Sequence, residues 1–159
     1  MSPRTTLGRF ATGVVVLTAG RDEPSGMTAN SFTSVSLDPP LVLVCVTRTA
    51  AAHAAILAEG TFTVSVLGAD QDELARYFAD RSRPRGRREF EDVDTFPGRR
   101  TGAPLLRGAL AWLECSLAAV YDGGDHSILL GSVLELANGR SAEPLVCFGG
   151  SFHQLAQTS

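Results

Sequence analysis

Lysine is missing from this chain of 159 residues; all fourteen basic side chains are arginine. Schiff-base chemistry on a lysine and phosphate binding by a P-loop lysine are both excluded, which removes lysine-anchored pyridoxal phosphate enzymes and ordinary P-loop nucleotide hydrolases. Cysteine is scarce: Cys45, Cys115 and Cys147 stand far apart, each in an apolar run. An odd number without Cys-x-x-Cys spacing argues against a disulfide framework or a zinc knuckle, and the three read as buried small hydrophobes. His53, His126 and His153 are equally scattered, so no metal site is expected. No run approaches the ~20 apolar residues of a membrane span, and Met1–Leu7 lacks the apolar stretch of a signal peptide. A cytoplasmic location with no membrane partner is the expectation. The GxGxxG fingerprint of a Rossmann domain is also absent, so any bound dinucleotide is held in another way.

What is present reads as globular: 44% hydrophobic residues and 19% charged. The length fits one domain over residues 1–159, large enough to bury roughly 70% of its unfolded surface. A net charge of −3 gives no general attraction to nucleic acid. Short apolar or β-branched runs predict strands over 13–19, 41–46 and 61–67, and the Thr- and Ser-rich stretch 27–36 reads as a half-polar strand and loop. The run Leu41–Val46 is apolar on both faces, as in a strand covered on both sides. Thr49 is placed to cap an alanine-rich helix over 50–58 that stops before Gly60. Asp70 and Glu73 resemble a capping box opening a helix to Ala79, with Leu74, Tyr77 and Phe78 inward. A long strand over 109–121, with Leu113, Cys115, Leu117, Ala119 and Tyr121 on one face, turns at Asp122–Asp125 into a partner over 126–136. A last strand covers 145–148, and Gly149–Gly150 bends the chain. Strands dominate, hairpins outnumber βαβ units, and two or three short helices are inserted, which points to a mainly β barrel.

Three places carry candidate chemistry. Thr28 to Ser36 packs hydroxyls, an amide and backbone N–H groups beside apolar strands. Such a row suits the pyrimidine edge of a flavin, where fixed N–H dipoles stabilise the charge that develops on reduction; a polar edge strand is its commoner meaning. Thr47-Arg48-Thr49 leads into a helix start whose alanines leave N–H groups open, a ready anion site, or else an ordinary cap. Arg76, Arg81, Arg83, Arg85, Arg87 and Arg88 form a basic cluster partly neutralised by Asp80, Glu89, Glu91 and Asp92. It reads as a solvated loop, or more specifically as an arm that meets a pyrophosphate. Acidic overall charge disfavours nucleic acid.

Taken together, Arg9–Thr18, Gly26–Val42, Phe62–Leu67, Ala75–Ala79 and Gly124–Gly131 resemble the flavin reductase family with the FMN-binding split-barrel fold, the reductase components of two-component flavin-dependent monooxygenases. The Ser82-Arg83-Pro84 region is similar to reductases of enediyne antibiotic pathways. The resemblance implies a homodimeric split β-barrel that moves a hydride from NADH, or NADPH, to FMN or FAD by positioning rather than by a dedicated acid or base. Reduced flavin would then pass to a separate monooxygenase. It also implies site residues: Thr28, Ala29, Asn30 and Ser31 toward the flavin ring and ribityl-phosphate, with Ser34, Val35, Ser36 and Leu37 lining the ring. Cys45 and Val46 would run beside it, Thr47, Ala51 and Ala52 would meet the phosphate, and Phe90 would supply an aromatic near the cofactor. His126, a candidate catalytic group, and Phe152 would meet NAD(P)H. One departure stands out: Phe148-Gly149-Gly150-Ser151-Phe152-His153 lacks the arginines that many relatives carry there. A non-catalytic flavin-binding redox module is the alternative reading, and a split-barrel oxidase of pyridoxamine-type phosphates is a third.

Overall fold

Val14 to Leu17 shows how this sequence builds its core. In the computed structural model, which describes residues 2–156, β1 (Thr12–Gly13) leads into β2 (Val15–Ala19), whose five residues are all buried. Successive side chains of a strand point to opposite faces. Val15 and Leu17 therefore enter one apolar cluster with Val42, Val44, Val46, Ile56, Phe62 and Leu129, while Val14 and Val16 enter a second with Leu67, Phe78, Phe90, Leu106 and Leu145.

The other strands are β3 (Ser25–Ala29), β4 (Thr33–Leu37), β5 (Pro40–Thr47), β6 (Thr61–Val66), β7 (Thr95–Pro97), β8 (Pro104–Leu106), β9 (Ala111–Gly123), β10 (His126–Asn138), β11 (Leu145–Phe148) and β12 (Ser151–Gln154). Seven of them form an antiparallel sheet in the order β3-β2-β6-β9-β10-β5-β4. The order ends in β3 and β4, so the barrel is split rather than sealed. Strands β1, β11 and β12 make a second small sheet, and β7–β8 a hairpin. Helices α1 (Pro3–Leu7), α2 (Ala51–Glu59) and α3 (Asp72–Ala79) are short insertions, with 3₁₀ turns at Ala69–Gln71 and Gly86–Phe90. The expected mainly β split barrel with a few short helices is what forms.

Several local expectations are corrected. It is β2 that is covered on both faces; β5 alternates, with Val42, Val44 and Val46 buried and Leu41, Leu43 and Cys45 only half-buried. The face expected along β9 breaks down because a bulge interrupts its pairing with β10 near Ala118, and Tyr121 ends 54% exposed. The N-cap of α2 is Ala50, not Thr49, and no side chain caps it. Gly60 ends this helix in the left-handed conformation (φ 70°), its N–H returning to Ile56. Asp70 does not cap α3. It pairs with Arg140, whose guanidinium holds its carboxyl below the usual range, and Gln71 Oε1 accepts from Gly68 N at 2.9 Å instead. Ala75 and Phe78 are the buried residues of α3, with Leu74 and Tyr77 half-buried beside them. Of the cysteines only Cys115 is fully buried, and desolvation pushes its thiol up to about 12; Cys45 and Cys147 are half-buried.

Candidate functional site

Helix α2 begins beside the end of β5. Its first N–H groups have no partner within the helix, they carry the positive end of the helix dipole, and no side chain caps them. Thr47, Thr49 and Ala50 to Ala52 form one wall of a cleft of about 270 Å³. Gly26 to Thr28 of β3 give it a floor, and Arg81, Arg83 and Arg85 stand on the far side with Phe78 and Ala79. Methyl side chains at Ala50, Ala51 and Ala52 leave the backbone donors sterically accessible. The arrangement brings open helix N–H groups and the exposed Arg81 and Arg85 to one cleft, a donor set suited to an anion such as phosphate.

The segment leading from the cleft is partly committed to structure. Thr28 Oγ1 donates to Ala75 O at 2.6 Å, which ties β3 to α3. Ser31 Oγ donates to Cys45 O (2.9 Å) and accepts from Cys45 N (3.1 Å), which ties the β3–β4 turn to β5. Ala29 is buried, and Asn30 is exposed with its amide Nδ2 3.6 Å from Cys147 Sγ. Strand β4, with Ser34, Val35, Ser36 and Leu37, lies open; Leu37 is 90% exposed. On β5, Cys45 shares a face with Thr47, whereas Val46 points into the core and offers only its backbone. Phe90 is buried, 5.4 Å from the Phe78 ring between centroids, and sits behind Gly26. It supports the cleft floor from beneath.

His126 opens β10 directly opposite Thr47, itself part of the cleft lining, but does not line the cleft. Its Nδ1 lies 2.7 Å from Asp125 Oδ1, and this contact holds the Asp125 carboxyl below its ordinary range. The turn is fastened to β5 by the Arg48–Asp122 ion pair and by Arg48 N donating to Asp125 O at 3.1 Å. One turn into α2, His53 Nε2 meets Ser127 Oγ at 2.8 Å, which braces the helix on β10. Phe152 of β12 lies under the Arg76 guanidinium, 5.5 Å from its ring centroid, and pairs in register with Cys147. The structure thus gathers Thr28, Thr47, Ala51 and Ala52 at the cleft, whereas His126 pairs beside Thr47, Asn30 and Phe152 lie toward β11, and β4 stands outside the cleft lining.

Arg81, Arg83 and Arg85 belong to the cleft wall, a placement that the solvated-loop reading of the cluster misses. Their spacing on alternate positions before Gly86 was the available signal. Nothing in the sequence separated Glu89 from the solvated acids around it, yet it is fully buried.

A split barrel with an open helix start facing arginines across a cleft suits an anionic ligand, and comparison with known proteins gives the class. The model of the flavin reductase like domain matches residues 7–156, and the chain belongs to that family. An NADH-dependent FAD reductase of Streptomyces globisporus is 51% identical over 96% of this chain and 84% of its own length. The reductase subunit HsaB of a flavin-dependent monooxygenase from Rhodococcus jostii is 39% identical over 94% of this chain and 74% of its own. The crystal structure of BorF, the flavin reductase component of a bacterial two-component tryptophan halogenase, superposes with a TM-score of 0.92 at 52% identity, covering 98% of this chain and 97% of that one.

Proposed function

We propose that this chain is an NADH-dependent flavin reductase that reduces FMN or FAD and hands the product to a separate flavin-dependent monooxygenase. The observation that carries the reading is the uncapped start of α2 facing three arginines across one cleft, next to the open face of β4. In this reading the N–H groups of Ala51 and Ala52, with the Thr47 hydroxyl, hold the flavin phosphate. The backbone of Ser34 to Leu37 and Cys45 to Val46 lines the ring, and Asn30 supplies an amide at its edge. Bound flavin supplies the hydride-accepting chemistry itself. The chain's part is to fix the ring and the nicotinamide face to face, since positioning can carry most of the rate. His126, held by Asp125 opposite Thr47, donates to the nicotinamide cofactor; Phe152 packs beside it. A homodimer completes the site: Val35 and Leu37 on β4 and Val120 and Tyr121 on β9 are exposed apolar groups suited to burial by a second copy.

Rapid anaerobic mixing of protein, flavin and NADH should bleach the flavin band near ~450 nm, a property of the cofactor rather than of the chain. Absence of bleaching with either flavin and either nicotinamide would remove the enzyme reading. The same result together with tight flavin binding would favour a non-catalytic redox module, which the missing arginines at Phe148–His153 make the second reading.

A further inference from the structure

Behind the cleft lies a charged pair that neither packing nor phosphate binding explains by itself. Arg83 and Glu89 form an ion pair with side chains only 6% and 0% exposed. Glu89 Oε1 accepts from Arg83 Nε at 2.7 Å and from Gly26 N at 3.2 Å. The Arg83 guanidinium donates to Gly26 O and, from Nη1, to Asp80 O at 2.6 Å. Gly26 lies on β3, an edge of the sheet, opposite Thr18. Its N–H and C=O both turn outward, and the pair answers them as a neighbouring strand would, one acceptor and one donor. A Cβ at position 26 would sit 3.0–3.1 Å from Phe78 and Phe90, so any larger residue there requires those rings to give way by a few tenths of an ångström.

Burying two charges costs more than an apolar pair of the same size, and Glu89 Oε2 is buried without a hydrogen-bond partner. Stability alone is therefore a poor reason for this arrangement. What the pair achieves is placement: it anchors the segment that carries Arg81 and Arg85, which are exposed, line the cleft and are joined by Arg85 Nη2 donating to Arg81 O at 2.9 Å. We infer that Glu89 is a positioning residue for the phosphate end of the flavin site, holding the basic segment 81–85 and the Gly26 edge against the start of α2 through Arg83. This rests on the flavin reading of the cleft.

The inference has a sign that separates it from simple electrostatics. A buried carboxylate near an anion site repels the anion, so a field effect alone would make its neutralisation tighten phosphate binding. Positioning predicts the reverse. Glu89→Gln keeps the shape and an acceptor for Gly26 but strands Arg83 as a buried cation; the guanidinium turns out to water and the segment is released. Two measurements follow, flavin titration with FMN and with riboflavin, and limited trypsin digestion. In Glu89→Gln, FMN should bind about tenfold more weakly and riboflavin nearly as before, the scale of one or two charge-assisted contacts. Trypsin should cut after Arg81 or Arg85 faster than in the parent, and Arg83→Gln/Glu89→Gln, which strands no charge but lacks both halves of the anchor, should stay as susceptible as Glu89→Gln. Unchanged or tighter FMN binding, or unchanged digestion, overturns the inference. If the parent itself binds riboflavin as tightly as FMN, the phosphate reading of the cleft fails instead. Should Glu89→Gln not fold, Arg81→Gln/Arg85→Gln, both at the surface, must show the same selective loss for FMN; equal affinity for it overturns the inference.

Discussion

Capping α2 should strengthen the fold and disable the site. Ala50 has the extended backbone of an N-cap (φ −73°, ψ 141°) but no side chain to bond the free N–H groups that follow. Ala50→Asp supplies one. Replacing alanine by aspartate at an N-cap gains ~1 kcal/mol, with a few tenths more from the helix dipole. For a chain of 159 residues that is a rise of ~2–4 °C in Tm. The same carboxylate occupies the open helix start. At about 4 Å from a phosphate and an effective dielectric of about 20, the repulsion is ~4 kcal/mol, so FMN binding should fall by at least about a hundredfold. Riboflavin, which has no phosphate, should lose far less. Ala50→Ser separates the two contributions, since it caps without charge: it should keep most of the thermal gain with a smaller loss for FMN. The assays are thermal denaturation of the ligand-free protein and fluorescence titration with each flavin. Unchanged FMN affinity in a thermally stabilised Ala50→Asp would place the phosphate elsewhere. Lost affinity without any thermal gain would show that the helix start was not open to capping.

Other outcomes follow from other parts of the molecule. Glu114 is buried, and its Oε1 accepts from Arg100 N, Thr101 N and Thr101 Oγ1 at 2.8–3.1 Å; Glu114→Ala orphans these donors and should cost ~2–4 kcal/mol in chemical denaturation, with kcat unchanged at temperatures where the variant is folded. His126→Ala should raise the KM for NADH several-fold while the FMN dissociation constant stays put; a shift in FMN binding instead would move His126 to the flavin. In the native protein, alkylating reagents at pH ~8 should modify Cys45 and Cys147 well before Cys115, because only the thiolate reacts and burial holds the Cys115 thiol at about 12; peptide mapping after brief labelling reads the order.

How much of this was legible in the sequence differs from element to element. The hairpin at Asp122–Asp125 was plain, because alternating apolar strands flank a glycine-rich turn, and Gly124 takes the positive φ (77°) that such a turn needs. The runs at 14–17 and 41–46 looked alike, and it is the packing of α3, Phe90, Leu106 and Leu145 onto the second face of β2 that seals it on both sides. Thr49 stood where a cap belongs, but Ala50 N bonds Thr47 O and the helix starts one residue later. Asp70 had the spacing of a capping box until Arg140, seventy residues away, took its carboxylate. The open helix start at Thr47 to Ala52, which lines the cleft, had a local mark in the sequence, hydroxyls before a run of alanines. Ser31 and Thr28 were not, since their bonds to Cys45 and Ala75 depend on which segments the fold brings alongside. Glu89 was hidden for the same reason: within a run of charges, one buried acid carries no mark.

The closing of the β3 edge by Arg83 and Glu89 also bears on how this protein keeps company with itself. An open edge strand is a template for stray chains, and aggregation by sheet extension starts there. At Gly26 that template is filled by side chains of the same molecule. The opposite edge, β4, is left bare along most of its length. Sheet extension at Gly26 is thereby blocked, and a variant that frees this stretch of the β3 edge would acquire an additional place to stick.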